Sequence, residues 1–241
     1  MNISPGSTAS VSENKAVSSR SVQEAGDKLP AGAATSAVDL SGDRDLEWGF
    51  VAGRLGRYVE PGTSVLDFGC GNGVLALAAA GLGARVLAID LMPRQLFAEH
   101  PNLAFRQVDV MALDARRDRF DLVMNCSTIE HVGLSGRYNA VEAPDGDLAA
   151  MEKLHRLLAP GGHMLLTLPV GKDAVIRPLH RIYGAERLAR LLHGYTIVEV
   201  TFWRKNAANR WVACPREQAV HEIGHEGYFA LGTFVLRTPG D

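Results

Sequence analysis

Apolar and polar residues come in alternating blocks along most of the chain, and the blocks predict helices and strands in turn. After Asp43, residues Leu46, Phe50, Val51, Leu55 and Tyr58 recur at helical spacing until Pro61-Gly62 ends the pattern. Ser64–Phe68 reads as a short apolar strand, followed by a glycine cluster and an apolar helix through about Ala80. Strand Arg85–Ile89, helix Pro93–Glu99, strand Leu103–Val108 and strand Phe120–Asn125 follow. A helix from about Asp147 to Leu158 stops at Pro160-Gly161-Gly162, ahead of a strand over His163–Leu168. Thr196–Trp203 and Tyr228–Leu236 read as two further strands, the last of them antiparallel. Val65-Leu66, Val86–Ile89 and Leu165-Leu166 are unbroken apolar runs, as in parallel strands buried on both faces. Strands and helices at this rhythm predict an α/β, doubly wound, mostly parallel sheet in three layers.

Residues 1 to about 40 have a different texture, rich in Ser, Ala and Gly with no aromatic residue and no sustained period. Such a segment buries too little apolar surface to offset its ordering entropy, so a disordered tail is expected there. No apolar stretch follows a basic start, as a secretory signal requires, and Glu13, Glu24, Asp27 and Asp39 are too many acids for a transit peptide. The remainder, 41–241, is one domain: 241 residues with 46% apolar content supply one core and not two. A net charge of -2 argues against a nucleic-acid partner, and the longest apolar run, Val74 to Ala84, is too short to span a membrane. Three scattered cysteines form neither a disulfide framework nor a four-cysteine zinc site, so a reducing cytoplasm is the expected location.

The most informative stretch is Val65-Leu66-Asp67-Phe68-Gly69-Cys70-Gly71-Asn72-Gly73-Val74. A strand enters a turn with three alternate glycines and leaves as a helix, which places backbone N–H groups and close backbone approach where a nucleotide binds. Asp90 ends the next strand, placed to accept hydrogen bonds from the two hydroxyls of a ribose. The dinucleotide register starting at Gly69 fails at Val74, and one starting at Gly71 fits loosely through Gly73 to Ala76. An acid before the glycines suits a ligand with a cationic amino-acid end better than a pyrophosphate; alternatively, Asp67 merely caps the turn.

The pattern Asp67-x-Gly69-x-Gly71-x-Gly73 resembles the first motif of class I S-adenosylmethionine (SAM) dependent methyltransferases. Gln107-Val108-Asp109 resembles the end of that family's third strand, Phe120–Met124 its fourth strand, and Leu157–Gly162 with the strand after it its fifth motif. The resemblance runs in order from about Asp45 to Arg237. It implies a Rossmann-like, seven-stranded sheet, SAM as cofactor with S-adenosylhomocysteine as product, and cofactor binding by Asp67, Gly69, Gly71, Gly73, Asp90 and Asp109. For Asp109 the competing reading is an exposed turn acid.

On the acceptor side, Asn125–Gly133 lacks the Asn/Asp-Pro-Pro-aromatic motif of the members that methylate adenine, cytosine or glutamine nitrogens. Glu130-His131-Val132 recurs in small-molecule methyltransferases. His131 is the expected base, or else a histidine that shapes the pocket, and His180 is the second candidate. Gly133–Asp147 is a long polar connection of the kind that forms a lid or binding loop. Glu130, Arg137, Tyr138, Arg181 and Tyr183 are expected to bind the acceptor; the alternative puts Tyr183 in the core and Arg181 on the surface. The set Glu130-His131, Gly136-Arg137-Tyr138, Pro169-Val170-Gly171 and His180-Arg181-x-Tyr183-Gly184 resembles a bacterial methyltransferase-like domain family of undefined function, many of whose members are tied to glycan or sugar-bearing metabolites. The extra Ser135, and Asn139 in place of glycine, depart from that family in the lid.

His221-Glu222-Ile223-Gly224-His225 matches the zinc-protease pattern, but Gly224 and Gly227 fall where its helix would continue, so it reads as a chance match. A divalent cation held by Glu130, His131, Asp145, Asp147 or His180 is a weaker option, and no metal ligand is assigned. The expected function is transfer of a methyl group from SAM to a hydroxyl of a small polar acceptor, such as a sugar, nucleotide-sugar or glycosylated metabolite, by a monomer or homodimer. The alternatives are N-methylation of an amino sugar or amino-acid-like metabolite, a non-catalytic SAM-binding partner subunit and, weakest, a nicotinamide oxidoreductase.

Overall fold

The structure is a computed structural model that describes residues 44–136 and 138–240. The tail expected over residues 1–40 lies outside the described residues, as does Arg137. In chain order the elements are α1 (Arg44–Tyr58), β1 (Ser64–Phe68), α2 (Val74–Gly81), β2 (Arg85–Asp90), β3 (Leu103–Gln107), β4 (Phe120–Cys126), α3 (Gly146–Leu157), β5 (Leu158–Val170), β6 (Ala174–Ile176), β7 (His180–Ile182), α4 (Ala185–Leu191), β8 (Thr196–Lys205), β9 (Trp211–Cys214), α5 (Arg216–Ala219) and β10 (Ala230–Arg237).

Eight strands form one sheet in the order β3-β2-β1-β4-β5-β10-β8-β9, one more than expected. β1 pairs in parallel with β2 and β4, β2 with β3, and β4 with β5. β10 runs antiparallel between β5 and β8, and β9 adds an antiparallel edge to the end of β8. The extra strand is a four-residue hairpin partner too short to carry a period of its own. Of the apolar runs read as two-sided, Val65, Leu66, Leu165 and Leu166 are fully enclosed, and Val86–Ile89 is buried except at the half-buried Leu87. One face of the sheet packs on α1 and α2 through Phe50, Val51, Leu75 and Ala79, and the other on α3, α4 and α5 through Met151, Leu154, Leu188 and Ala219.

The helix expected over Pro93–Glu99 does not form. The Phe97 N–H donates to the carbonyl of Asn72 at 2.7 Å, and Leu96 packs against Gly73, so the segment is drawn onto the glycine loop instead of coiling on itself. Tertiary contacts override a short run whose local preference is weak. No described helix is long and apolar enough to cross a membrane.

Candidate functional site

The parallel strands β1, β2, β4 and β5 all end at one edge of the sheet, and every expected cofactor residue lies at that edge. Gly69, Gly71 and Gly73 have φ of +73°, +55° and +74°, so the turn is built from left-handed residues. At Gly69 a Cβ would lie 2.2 Å from Cγ2 of Thr128, so glycine is required there for closeness as well as conformation. The N–H groups of Gly69 and Cys70 both donate to the Ile89 carbonyl, at 2.9 and 3.0 Å, which locks the loop against β2.

Asp67 is 3% exposed, and its Oδ2 has no hydrogen-bond partner among the described residues. Burial above all, offset in part by a hydrogen bond from the Ala76 backbone and helped by the nearby Asp90 carboxylate, raises its carboxyl to about 7. The Ala76 contact is of the kind a cap makes, and it leaves Oδ2 unengaged. A buried carboxylate with an acceptor oxygen left over is stabilised by a nearby positive charge.

Asp90 accepts from Met92 N–H at 2.9 Å through Oδ1, and from Gly71 N–H at 3.2 Å and Arg94 Nε at 2.9 Å through Oδ2. The acid therefore braces the glycine loop, and Arg94, which sequence reasoning missed, pairs with it. Val108 N–H donates to the Asp90 carbonyl at 3.0 Å, bringing Asp109 alongside. Asp109 itself is exposed and caps a 3-10 turn through Met111 N–H at 2.9 Å. This is the turn-acid reading of Asp109, on the segment that Val108 ties to the end of β2.

The 3-10 turn Ile129–His131 follows β4 and carries Glu130 and His131. Nδ1 of His131 lies 2.6 Å from the Leu179 carbonyl, and a carbonyl only accepts, so Nδ1 carries the hydrogen. Nε2 is then the nitrogen that takes up a proton, and Oε1 of the buried Glu130 stands 3.7 Å from it. The edge of the Tyr138 ring meets the His131 ring at 5.1 Å, at the tip of the Gly133–Asp147 loop, where Tyr138 and Asn139 have φ of +58° and +53°. Asn139 Nδ2 also reaches Met92 Sδ at 3.4 Å, so the loop tip extends to the segment after β2. His180 is buried with its ring edge-on to Phe229 at 5.2 Å, next in sequence to the residue that anchors His131.

Arg181 is placed differently from either reading of it, whereas Tyr183 takes the alternative one, a residue of the core. Arg181 is 1% exposed and donates to the carbonyls of Val132, Ala143 and Pro144, which pins both ends of the loop to β7. Tyr183 is fully buried, and its hydroxyl donates to Asp147 Oδ2 at 3.1 Å. Asp147, itself fully buried, also receives Arg187 through Nε at 2.9 Å and Nη2 at 2.5 Å. This knot joins α3, α4 and β7, and its charged groups hold the chain's own backbone. Arg187 was missed because it lies 40 residues from its partner with no local pattern joining them.

Glu47 was missed too, although its signal was present. It falls on the stripe of α1 that carries Phe50, Val51 and Leu55, and is 4% exposed. It accepts from Ser127 Oγ and from Thr167 Oγ1, the latter at 3.2 Å. The His221–His225 pattern lies on a loop beyond the four-residue α5. His221 Nδ1 donates to the Glu217 carbonyl, and Glu222 accepts from the Tyr228 hydroxyl at 3.0 Å, so the helix face that zinc chemistry needs is not there. Among the described residues, no group of three or more His, Cys, Asp or Glu is placed to hold a metal.

A family model described as Caenorhabditis protein of unknown function, DUF268, matches residues 76–237, well over half of the chain. The chain belongs to this family. Its sequence is similar to ubiquinone biosynthesis O-methyltransferases: 37% identical over 111 residues to that of Cereibacter sphaeroides, covering 43% of this chain and 40% of that one. Against that of Alkalilimnicola ehrlichii it is 33% identical over 175 residues, covering 69% and 64%. The chain thus spans less than two thirds of the length of the curated relatives it matches. Among solved structures, the 1,6-didemethyltoxoflavin-N1-methyltransferase of Burkholderia thailandensis, with S-adenosylhomocysteine bound, has a TM-score of 0.54 at 20% identity over 78% of this chain and 76% of that one. The N-methyltransferase NodS of Bradyrhizobium japonicum, in complex with S-adenosylhomocysteine, has a TM-score of 0.54 at 20% identity over 82% and 87%. The fold is that of the class I methyltransferases.

Proposed function

We propose that the chain is a SAM-dependent methyltransferase that acts on a hydroxyl of a small polar acceptor, a sugar or sugar-bearing metabolite first among them. The observation that carries the reading is the buried Asp67 carboxylate, with one oxygen unpartnered among the described residues, beside the three-glycine cradle. A ligand with an ammonium group and a nucleoside fits that demand: Asp67 takes the positive charge, the loop backbone lies against the ligand, Asp90 accepts from ribose hydroxyls and Asp109 from the adenine amine. SAM, when bound, supplies a methyl group on a positively charged sulfur. Relatives named as methyltransferases and the class I fold support the same reading.

The chain's own work is to place the acceptor, exclude water and move one proton. Nε2 of His131 accepts the proton of the acceptor hydroxyl, and the Glu130 carboxylate stabilises the imidazolium that results. Tyr138 packs against the His131 ring and shields it, while Arg181 fixes the loop that carries Tyr138. His180, buried against Phe229, backs this wall; it is the second choice for the base.

N-methylation of an amino sugar or amino-acid-like metabolite is the second reading, favoured by the buried Glu130 carboxylate, which would pair with an ammonium-bearing acceptor. Methyl transfer from isotope-labelled SAM into a panel of nucleotide-sugars, glycosides, phenols and amines, with and without EDTA, separates the two by mass spectrometry. The proposal expects label on oxygen, insensitive to EDTA, and a loss of about 10²–10⁴ in kcat for His131→Ala. Label on nitrogen with little effect of His131→Ala would replace it with the second reading. S-adenosylhomocysteine binding without turnover, in the panel and in native cell extract, would make the protein a non-catalytic binding subunit.

A further inference from the structure

Glu47 is a buried carboxylate brought to the site by α1 from outside the strand-and-loop motifs, and it takes no part in the proposed methyl or proton transfer. Its partner Ser127 is the first residue after β4 and has φ of +47°, a left-handed conformation that a non-glycine residue adopts only when its surroundings impose it. Those surroundings are specific. Ser127 N–H donates to the Thr167 carbonyl at 3.2 Å and to its Oγ1 at 3.1 Å, and Thr167 Oγ1 donates to Glu47. Ser127 Oγ donates to the same Glu47 oxygen. One carboxylate oxygen thus gathers the hydroxyls of β5 and of the turn after β4.

The next residue, Thr128, links both halves of the site. Its side chain fills the space beside Gly69, where a Cβ would lie 2.4 Å from Oγ1 and 2.2 Å from Cγ2. Its carbonyl accepts from His131 N–H at 3.1 Å and so opens the turn that carries the proposed base. A change of φ at Ser127 would swing Thr128 away from Gly69 and take the Glu130-His131 turn with it.

We infer that Glu47 is a positioning residue that acts through Ser127: it holds the left-handed turn after β4, and so keeps the glycine loop and the His131 turn in one register. The inference rests on the cofactor reading for its consequence at Gly69 but not for its consequence at His131, and the test keeps the two apart.

The test is a double-mutant cycle between Glu47→Ala and Ser127→Gly, read by titration calorimetry with S-adenosylhomocysteine as probe and by the NMR signals of His131, assigned with His131→Asn. Glycine adopts the left-handed conformation without support. Glu47→Ala alone should therefore weaken S-adenosylhomocysteine binding about tenfold and shift the His131 ring signals, whereas in the Ser127→Gly background it should change either readout less than twofold beyond Ser127→Gly alone. Glu47→Gln, whose amide oxygen still accepts from both hydroxyls, should restore binding to within about threefold of the wild type. An equal loss from Glu47→Ala in both backgrounds, or wild-type binding and wild-type His131 signals in Glu47→Ala, would overturn the inference. If Glu47→Ala fails to fold, the same cycle run with Glu47→Gln and Glu47→Asp decides it, since only the aspartate is too short to reach both hydroxyls. Wild-type protein that does not bind S-adenosylhomocysteine would defeat the cofactor reading, and the His131 signals alone would then decide the role of Glu47.

Discussion

The glycine corner and the loop that follows β4 handle their polar groups in opposite ways. At the corner, a buried carboxylate oxygen of Asp67 has no partner among the described residues, and the carboxyl is pushed up to about 7 by its burial. Around the loop, Arg181 donates to three backbone carbonyls, and Tyr183 and Arg187 converge on Asp147. Both regions hold charge away from water, but one leaves an electrostatic demand open and the other closes it internally. The open one would gain stability from a positively charged ligand; the closed one is scaffold that shapes a loop.

The largest effect that would break this contrast concerns Arg181. Arg181→Met removes the donor for three loop carbonyls from a fully enclosed setting, and should cost about 3–5 kcal/mol in urea unfolding. A variant of full stability that only weakens acceptor affinity would make Arg181 a ligand-binding residue after all. Asp67→Asn should do the reverse and stabilise the fold. The wild-type carboxyl is raised from 3.8 to about 7, so its unfolded form ionises first and the folded protein loses stability as pH rises through that window. The advantage of Asp67→Asn should therefore be small at pH 4, grow to about 2–4 kcal/mol by pH 7 and stay level above. A difference that does not depend on pH would mean that Asp67 has an ordinary environment.

Smaller effects sharpen the picture of the ribose acid. Asp90→Ala should lower S-adenosylhomocysteine affinity by roughly 1–3 kcal/mol, the cost of losing hydrogen bonds to a charged acceptor, and an unchanged affinity would remove the ribose from Asp90. Arg94→Ala should leave that affinity within about threefold or raise it, because Arg94 competes for Asp90 Oδ2 across a partly solvated pair. A tenfold loss would show Arg94 to be part of the binding surface.

The corner was legible because its chemistry is local: strand, alternate glycines, helix and the acid that ends the next strand all sit within the span from Val65 to Asp90. The same locality failed for Pro93–Glu99, where the bond from Phe97 N–H to the Asn72 carbonyl overrides a weak local preference for helix. Strand β9 has four residues and exists because β8 offers it an edge. Tyr183 was legible in its alternative reading, as a core residue, but Arg181 was not, since its partners lie 37 to 49 positions away and nothing in the spacing shows that a guanidinium is enclosed. Glu47 lies between these cases. An acid on the buried stripe of an amphipathic helix marks a residue with work to do, and only the fold shows that the work is at Ser127.

The central claim is that the glycine corner binds SAM through an acid that must ionise to do so. Titration calorimetry of wild-type protein and Asp67→Asn with S-adenosylhomocysteine, from pH 6 to pH 8, tests it directly. The account predicts one saturable site per chain in the wild type, tightening as pH rises through about 7 and then levelling off, and at least tenfold weaker in Asp67→Asn. Equal affinity in the two proteins, or no binding at millimolar S-adenosylhomocysteine, would contradict it.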